Sequence, residues 1–215
     1  PVIGVIYRRI LKNHIDKKLS PFKISDLTVS IEPTNSCNSR CRMCPYPKMT
    51  RAKTVMPMEL FKKIVDDCVD EGIKSFNLNF YNEPILYPLL FDRIKYIKSK
   101  NARAQMFSNG SLVDGEKALK IFVSGLDRID FSIDGAKKET YEQIRNGLDF
   151  DIVKSNILNM IKIKKQNKFS KPKIRVIFVR QGINEDELPE FKAFWQDKAD
   201  SIIVSSDDNR NETHI

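Results

Sequence analysis

Beyond Pro21 the chain alternates strand-like and helical segments six times over, and few folds accept that pattern. Strands are expected at 27–32 (LTVSIE), 74–81 (KSFNLNFY), 103–108 (RAQMFS), 127–133 (DRIDFSI), 173–180 (KIRVIFVR) and 200–205 (DSIIVS). Helical periodicity fills 58–71, 86–100, 115–124, 149–167 and 184–198, with a short stretch near 137–145. Gly72 and Gly125 sit where helices should stop. Consecutive strands joined by helices form a parallel sheet with right-handed crossovers. Two architectures satisfy this: an open doubly wound sheet and a partial barrel of six strands.

Side-chain alternation separates them. Strands covered by helices on both faces read as continuous apolar runs. Here Val29 and Ile31 alternate with Thr28, Ser30 and Glu32, and Phe76, Leu78 and Phe80 with Asn77, Asn79 and Tyr81. Ile129, Phe131 and Ile133 likewise oppose Asp130, Ser132 and Asp134. Successive side chains point to opposite faces, so one face packs under helices and the other lines a polar space. The expected fold is α/β, a partial (β/α)6 TIM-like barrel whose lumen takes a polar ligand. At 215 residues the chain suits one full-size domain.

Residues 1–26 read as an extension ahead of that domain. Ile3, Ile6, Ile10, Leu11, Ile15 and Leu19 form one stripe of a basic amphipathic helix over 2–19. Such a helix either lies on a membrane surface or packs on the domain's own core, the commoner arrangement. The chain opens on Pro1, so a fragment of a longer protein is expected. No apolar run approaches the ~18 residues needed to cross a bilayer. No signal-peptide pattern opens the chain either, and a cytoplasmic location is expected.

Three of the four cysteines fall within CNSRCRMC at 37–44. An odd number argues against local disulfide pairing, and in a reducing compartment clustered thiols hold metal more often than they pair. Cys37, Cys41 and Cys44 follow the first strand directly, at the end of the sheet where active sites of parallel α/β folds gather. Structural zinc takes four protein ligands, but His14 and His214 lie near opposite ends of the chain. Cys68 falls at helical spacing with Leu60, Phe61, Ile64, Val65 and Val69, as a small core residue does. Three thiolates with a vacancy suit a four-iron cubane whose fourth iron stays open to an exogenous ligand.

Together with YNEP at 81–84, SNG at 108–110, SIDG at 132–135 and YEQIRNG at 141–147, this loop makes the chain from about residue 27 resemble the radical S-adenosylmethionine enzymes. The last two motifs are similar to the subgroup with a cysteine-rich SPASM or shorter twitch extension, which would follow Ile215. The resemblance implies a radical S-adenosylmethionine core over 27–215 and a [4Fe–4S] cluster on Cys37, Cys41 and Cys44. It further implies S-adenosylmethionine chelated to the open iron through its amine and carboxylate. One electron from the cluster would cleave the sulfonium, giving methionine and a 5′-deoxyadenosyl radical that abstracts a substrate hydrogen atom.

The family's roles carry over residue by residue. Glu83 stands in the position of the Gly-Gly-Glu motif, with Tyr81 and Asn82 replacing the glycines, and is expected to accept hydrogen bonds from the cofactor's ammonium. Arg145 matches an arginine that can bind the methionine carboxylate, a task suited to its fork of donors, or is a solvated arginine at a helix end. Ser132 resembles the residue that bonds the ribose hydroxyls, or is an ordinary strand-end serine. Asn109 either reaches the ligand or shapes the turn with Gly110. Met43 stands where many relatives carry an aromatic residue, its main chain toward the adenine edge and its side chain on the ring. Val179 is either an apolar wall for adenine or a core valine.

Thirty-seven Lys and Arg against 28 Asp and Glu leave a net +9. The basic residues are scattered and no nucleic-acid signature accompanies them, so no nucleic-acid partner is expected. The surface suits an acidic leader peptide, a phosphorylated sugar, or an acidic electron donor of the flavodoxin or ferredoxin type. The expected substrate is accordingly a small molecule undergoing dehydrogenation or epimerisation, or a peptide undergoing modification. The alternative from a different class is a zinc- or cluster-stabilised binding module without cofactor chemistry.

Overall fold

The computed structural model describes residues 23–206, and the helix expected at 2–19 lies outside them. Strands β1 (Val29–Ser30), β2 (Ser75–Asn77), β3 (Arg103–Ser108), β4 (Arg128–Ser132), β5 (Lys173–Arg180) and β6 (Ser201–Ser206) form one parallel sheet. Between them run α1 (Met58–Asp70), α2 (Leu90–Ser99), α3 (Gly115–Ser124), α4 (Lys138–Ile144), α5 (Phe150–Gln166) and α6 (Leu188–Trp195). The spatial order of the strands is their sequence order. A doubly wound sheet reverses direction at a switch point, and this one does not. Each crossover advances the same way, so the helices collect on one face and the sheet curls around the other. The architecture is the partial (β/α)6 barrel.

Local chemistry sets where each helix hands over to a strand. At the end of α1, Ile73 N–H returns to Cys68 O and Gly72 N–H to Val69 O, at 2.8 and 2.9 Å. This Schellman closure needs a left-handed residue, and Gly72 has φ 90°. Asp114 and Asp149 cap α3 and α5 by accepting from the backbone N–H groups of Lys117 and Ile152.

The helix-facing side of the sheet is apolar. Phe76, Leu78, Met106, Phe131, Val176 and Phe178 are buried in one core with Phe61, Val65, Ile94, Ile121, Ile157 and Trp195 of the helices. The opposing face carries Ser30, Asn77, Ser132 and Arg175 into an open cavity. Among the described residues no helix is long and apolar enough to cross a membrane.

Two strands are shorter than their alternation suggests. The β1 ladder ends with Ile31 N–H on Asn77 O at 2.8 Å, and Pro33 has no N–H to extend it. In β2 the backbone leaves the sheet after Leu78, whose N–H reaches Gln105 O at 3.0 Å. There the side chain of Asn79 takes over, donating to Phe107 O at 2.8 Å and accepting from Phe107 N–H at 2.6 Å. It pairs with β3 as a neighbouring backbone would. Beyond that point alternation no longer assigns faces. Phe80, expected among the helix-facing residues, is instead 63 % exposed and lines the cavity.

Candidate functional site

A cavity of about 490 Å³ opens at the C-terminal ends of the strands. Its wall brings together all the site residues named from the sequence: Cys37, Met43, Cys44 and Cys41 of one loop, then Glu83, Asn109, Ser132, Arg145 and Val179.

The cysteine loop has little regular structure and is held from outside. Arg40 N–H donates to Asn146 O and Arg42 N–H to Ile144 O, both at 2.8 Å, clasping the backbone on either side of Cys41 to the end of α4. Between those bonds Arg145 Nη1 donates to Cys41 Sγ at 3.4 Å. Ser39 Oγ lies 3.2 Å from Cys37 Sγ and 3.4 Å from Cys41 Sγ, and Tyr46 N–H donates to Cys44 Sγ at 3.4 Å. Burial pushes the Cys37 and Cys44 thiols up from their ordinary range. Cys68 is packed on the core from α1 and does not line the cavity.

Among the described residues no three His, Cys, Asp or Glu groups are placed to hold a single metal ion. A lone zinc draws its sulfurs to one point at about 2.3 Å. A cubane instead puts each thiolate on a different iron, so the sulfurs need not converge. Three thiols on one loop, each with a hydrogen-bonding partner, fit such a cluster.

Glu83 closes another part of the wall. Its Oε2 accepts from Asn109 N–H at 2.7 Å, and its Oε1 from Ser108 Oγ at 2.9 Å and Ile85 N–H at 3.2 Å. Its own N–H donates to Ser36 O at 2.9 Å, which joins it to the cysteine loop. These partners are all neutral, and Glu83 is only 2 % exposed. Burial pushes its carboxyl up to about 7, against the lowering effect of the three donors. A cation entering the cavity would find a carboxylate that no cation of the described chain has taken.

Arg145 is seated differently. A Cβ on Gly135 would lie 3.0 Å from Tyr141 N, so glycine there lets α4 approach the end of β4 closely. That approach pairs Arg145 with the fully buried Asp134, through Nε at 2.6 Å and through Nη2. Asp134 also accepts from Val179 N–H at 2.8 Å. Burial disfavours the guanidinium charge, yet Asp134 and the Cys41 sulfur more than offset it and hold Arg145 above its ordinary pKa.

Asn109 shapes its turn. Its Nδ2 donates to Asn38 Oδ1 at 2.8 Å, and its Oδ1 accepts from Ser111 N–H at 3.0 Å and Ser111 Oγ at 2.7 Å. Those bonds tie the end of β3 to the cysteine loop. Met43, Ser132 and Val179 are half-buried in the cavity wall. The sequence reading passed over Asp134 as the seat of Arg145 and Arg175 as a wall residue. Arg175 had left one signal, since it lies four positions before Val179 and so on the same strand face.

The profile of the Radical SAM superfamily matches residues 31–194. The tungsten-containing aldehyde ferredoxin oxidoreductase cofactor-modifying protein of Pyrococcus furiosus is 25 % identical over 178 residues, which cover 82 % of this chain and 50 % of that protein. A GTP 3′,8-cyclase of Desulforamulus reducens is 28 % identical over 173 residues, covering 78 % and 50 %. Among solved structures, SuiB of Streptococcus suis bound to S-adenosylmethionine superposes with a TM-score of 0.72 at 16 % identity, over 88 % of this chain and 43 % of that one. At that identity the likeness is one of fold. The chain spans about half the length of these curated relatives.

Proposed function

Because this chain belongs to the radical SAM superfamily, we propose that it binds a [4Fe–4S] cluster on Cys37, Cys41 and Cys44 and uses S-adenosylmethionine to begin radical chemistry on a substrate in the lumen. The cluster and S-adenosylmethionine are the cofactors of that family, and its members are enzymes. One observation carries the reading: three hydrogen-bonded thiols and a buried carboxylate without a cation share one cavity wall. Bound together, these cofactors supply reductive cleavage of the sulfonium, which yields methionine and a 5′-deoxyadenosyl radical that takes a hydrogen atom from the substrate.

Glu83 would accept hydrogen bonds from the cofactor's amino group, its own proton passing to solvent as the cofactor binds. Arg145 commits Nε, Nη2 and Nη1 to Asp134 and Cys41. Of its five N–H donors, those left over would be available to the methionine carboxylate. Ser132 offers its hydroxyl to the ribose, while Met43 and Val179 give the adenine apolar contact. Asn109 supports Glu83 through its N–H and reaches the cofactor only by that route. Residues 27–215 form the radical core and 1–26 an extension to it. SIDG and YEQIRNG support reading the chain as a relative of the SPASM or twitch subgroup. An acidic donor of the flavodoxin or ferredoxin type meets the basic surface, and the substrate is a small molecule or a peptide.

Anaerobic reconstitution followed by iron, sulfide and 5′-deoxyadenosine assays on one preparation tests this. About four irons and four sulfides per chain are expected, with 5′-deoxyadenosine formed once a strong reductant is added. Zinc without sulfide overturns the reading. So does a fully loaded preparation that binds the cofactor and never cleaves it.

A further inference from the structure

The floor of the lumen carries charge that the cofactor site does not use. Strand β5 turns Arg175, Ile177 and Val179 to the cavity. Val179 stands at the rim, and Arg175 lies four residues earlier, about 13 Å deeper at the usual rise of a strand. In register with Arg175 on β4 is Asp130, fully buried. Arg175 Nε and Nη2 donate to the two oxygens of Asp130 at 2.7 and 2.6 Å, and Arg128 Nε lies 3.1 Å from Asp130 Oδ2. One carboxylate thus serves two guanidiniums, and a positive charge is left over.

Arg175 is the guanidinium with room to spare. Its side chain is 23 % exposed, it lines the cavity, and Nη1 has no hydrogen-bond partner among the described residues. On β2, also in the cavity wall, Asn77 Nδ2 donates to Ser30 Oγ and Asn79 O at 3.3 and 3.4 Å, while its Oδ1 is buried without a donor. An ion pair that only held strands together would balance its charge one for one, as Asp134 and Arg145 do. This floor instead presents a surplus cationic donor to the cavity.

We propose that the floor anchors the substrate: Arg175 holds an anionic group, carboxylate or phosphate, beside the polar side chain of Asn77. That the ligand is the substrate rests on the radical reading above; that it is anionic does not. A cavity of this size takes about one drug-sized ligand, so with S-adenosylmethionine along the rim only a small group reaches the floor. A terminal carboxylate, an acidic side chain or a phosphate fits. The bond to be broken then lies several atoms further up the substrate, toward the rim.

Cluster-loaded protein with S-adenosylmethionine bound is titrated anaerobically by calorimetry with inorganic phosphate, glycerol 3-phosphate, succinate and the neutral succinamide. At least one anion should bind tenfold or more tightly than succinamide, and which one separates phosphate from carboxylate sources. Arg175→Gln should lose that preference at least tenfold. So should Arg175→Gln combined with Asp130→Asn, which leaves no buried carboxylate short of a partner, while Arg175→Lys keeps part of it. No preference for anions in the wild type, or a preference that survives in the double variant, overturns the proposal. A protein that prefers anions yet loads no cluster or leaves S-adenosylmethionine intact refutes the radical reading and leaves the floor standing. One that cleaves S-adenosylmethionine without preferring anions refutes the floor alone.

Discussion

Two buried carboxylates meet opposite treatment: Glu83 lines the cavity, and Asp134 lies behind Arg145, which lines it too. Asp134 has a guanidinium paired to it within the chain, and among the described residues Glu83 has only two backbone N–H groups and a hydroxyl. Taking a charge out of water costs several kcal/mol per ion. At Asp134 an internal cation offsets that cost, so the pair is architecture that seats α4 and the cysteine loop. At Glu83 nothing charged among the described residues offsets it, and the group keeps its proton to about pH 7. The unpaired one is the carboxylate left open to a ligand.

The comparison presumes a metal centre beside both groups, and that premise breaks first. Changing Cys37, Cys41 or Cys44 to Ala should drop iron and sulfide to background, since each thiolate serves its own iron; Cys68→Ala should retain both. Equal losses from Cys68→Ala and Cys41→Ala would place the centre elsewhere.

Next in size is the internal pair. Arg145→Met strands a buried charge and should destabilise the metal-free protein by about 3–5 kcal/mol in urea titrations under reducing conditions. A loss under about 1 kcal/mol, within the range of an exposed ion pair, would erase the contrast with Glu83.

The unpaired carboxyl should show itself through pH. Below pH 4.5 Glu83 is protonated in folded and unfolded chains alike; from there to about 7 the unfolded chain has released its proton and the folded one keeps it. Stability contributed by this group is therefore present at low pH and lost as pH rises through about 7, by roughly 3 kcal/mol. Urea midpoints of wild type and Glu83→Gln compared from pH 5 to 8 should diverge in that direction, and parallel profiles would sharpen the case against a displaced proton. The smallest effect is on binding. Glu83→Gln should weaken S-adenosylmethionine by ~2 kcal/mol at pH 8 with iron content unchanged, and wild-type affinity should decline below pH 7 as the proton competes.

The sequence alone carries those elements whose periodicity runs uninterrupted: β3, β5 and α3 occupy the residues expected of them. It overstates β1 and β2, because a side chain that imitates a strand, as Asn79 does, leaves no periodic trace. Glu83 and the cysteines are legible because short motifs bind their chemistry to fixed spacings. The pairings are not. Arg145 meets Asp134 across 11 residues and Arg175 meets Asp130 across 45, and one sequence keeps no record of who faces whom. Arg175 was further masked by the apolar run around it, which reads as ordinary strand.

The clasp between the cysteine loop and the end of α4 has a consequence in time. A ribosome adding about 5–20 residues per second releases Cys44 roughly 5–20 s before Arg145 emerges. Throughout that interval the newborn thiols lack the two carbonyls and the guanidinium that later fix Cys41 in place. Iron delivered then would meet a floppy tether; oxygen would meet three unguarded sulfurs. On that schedule, cluster insertion should follow synthesis of the middle of the chain and not of the loop itself.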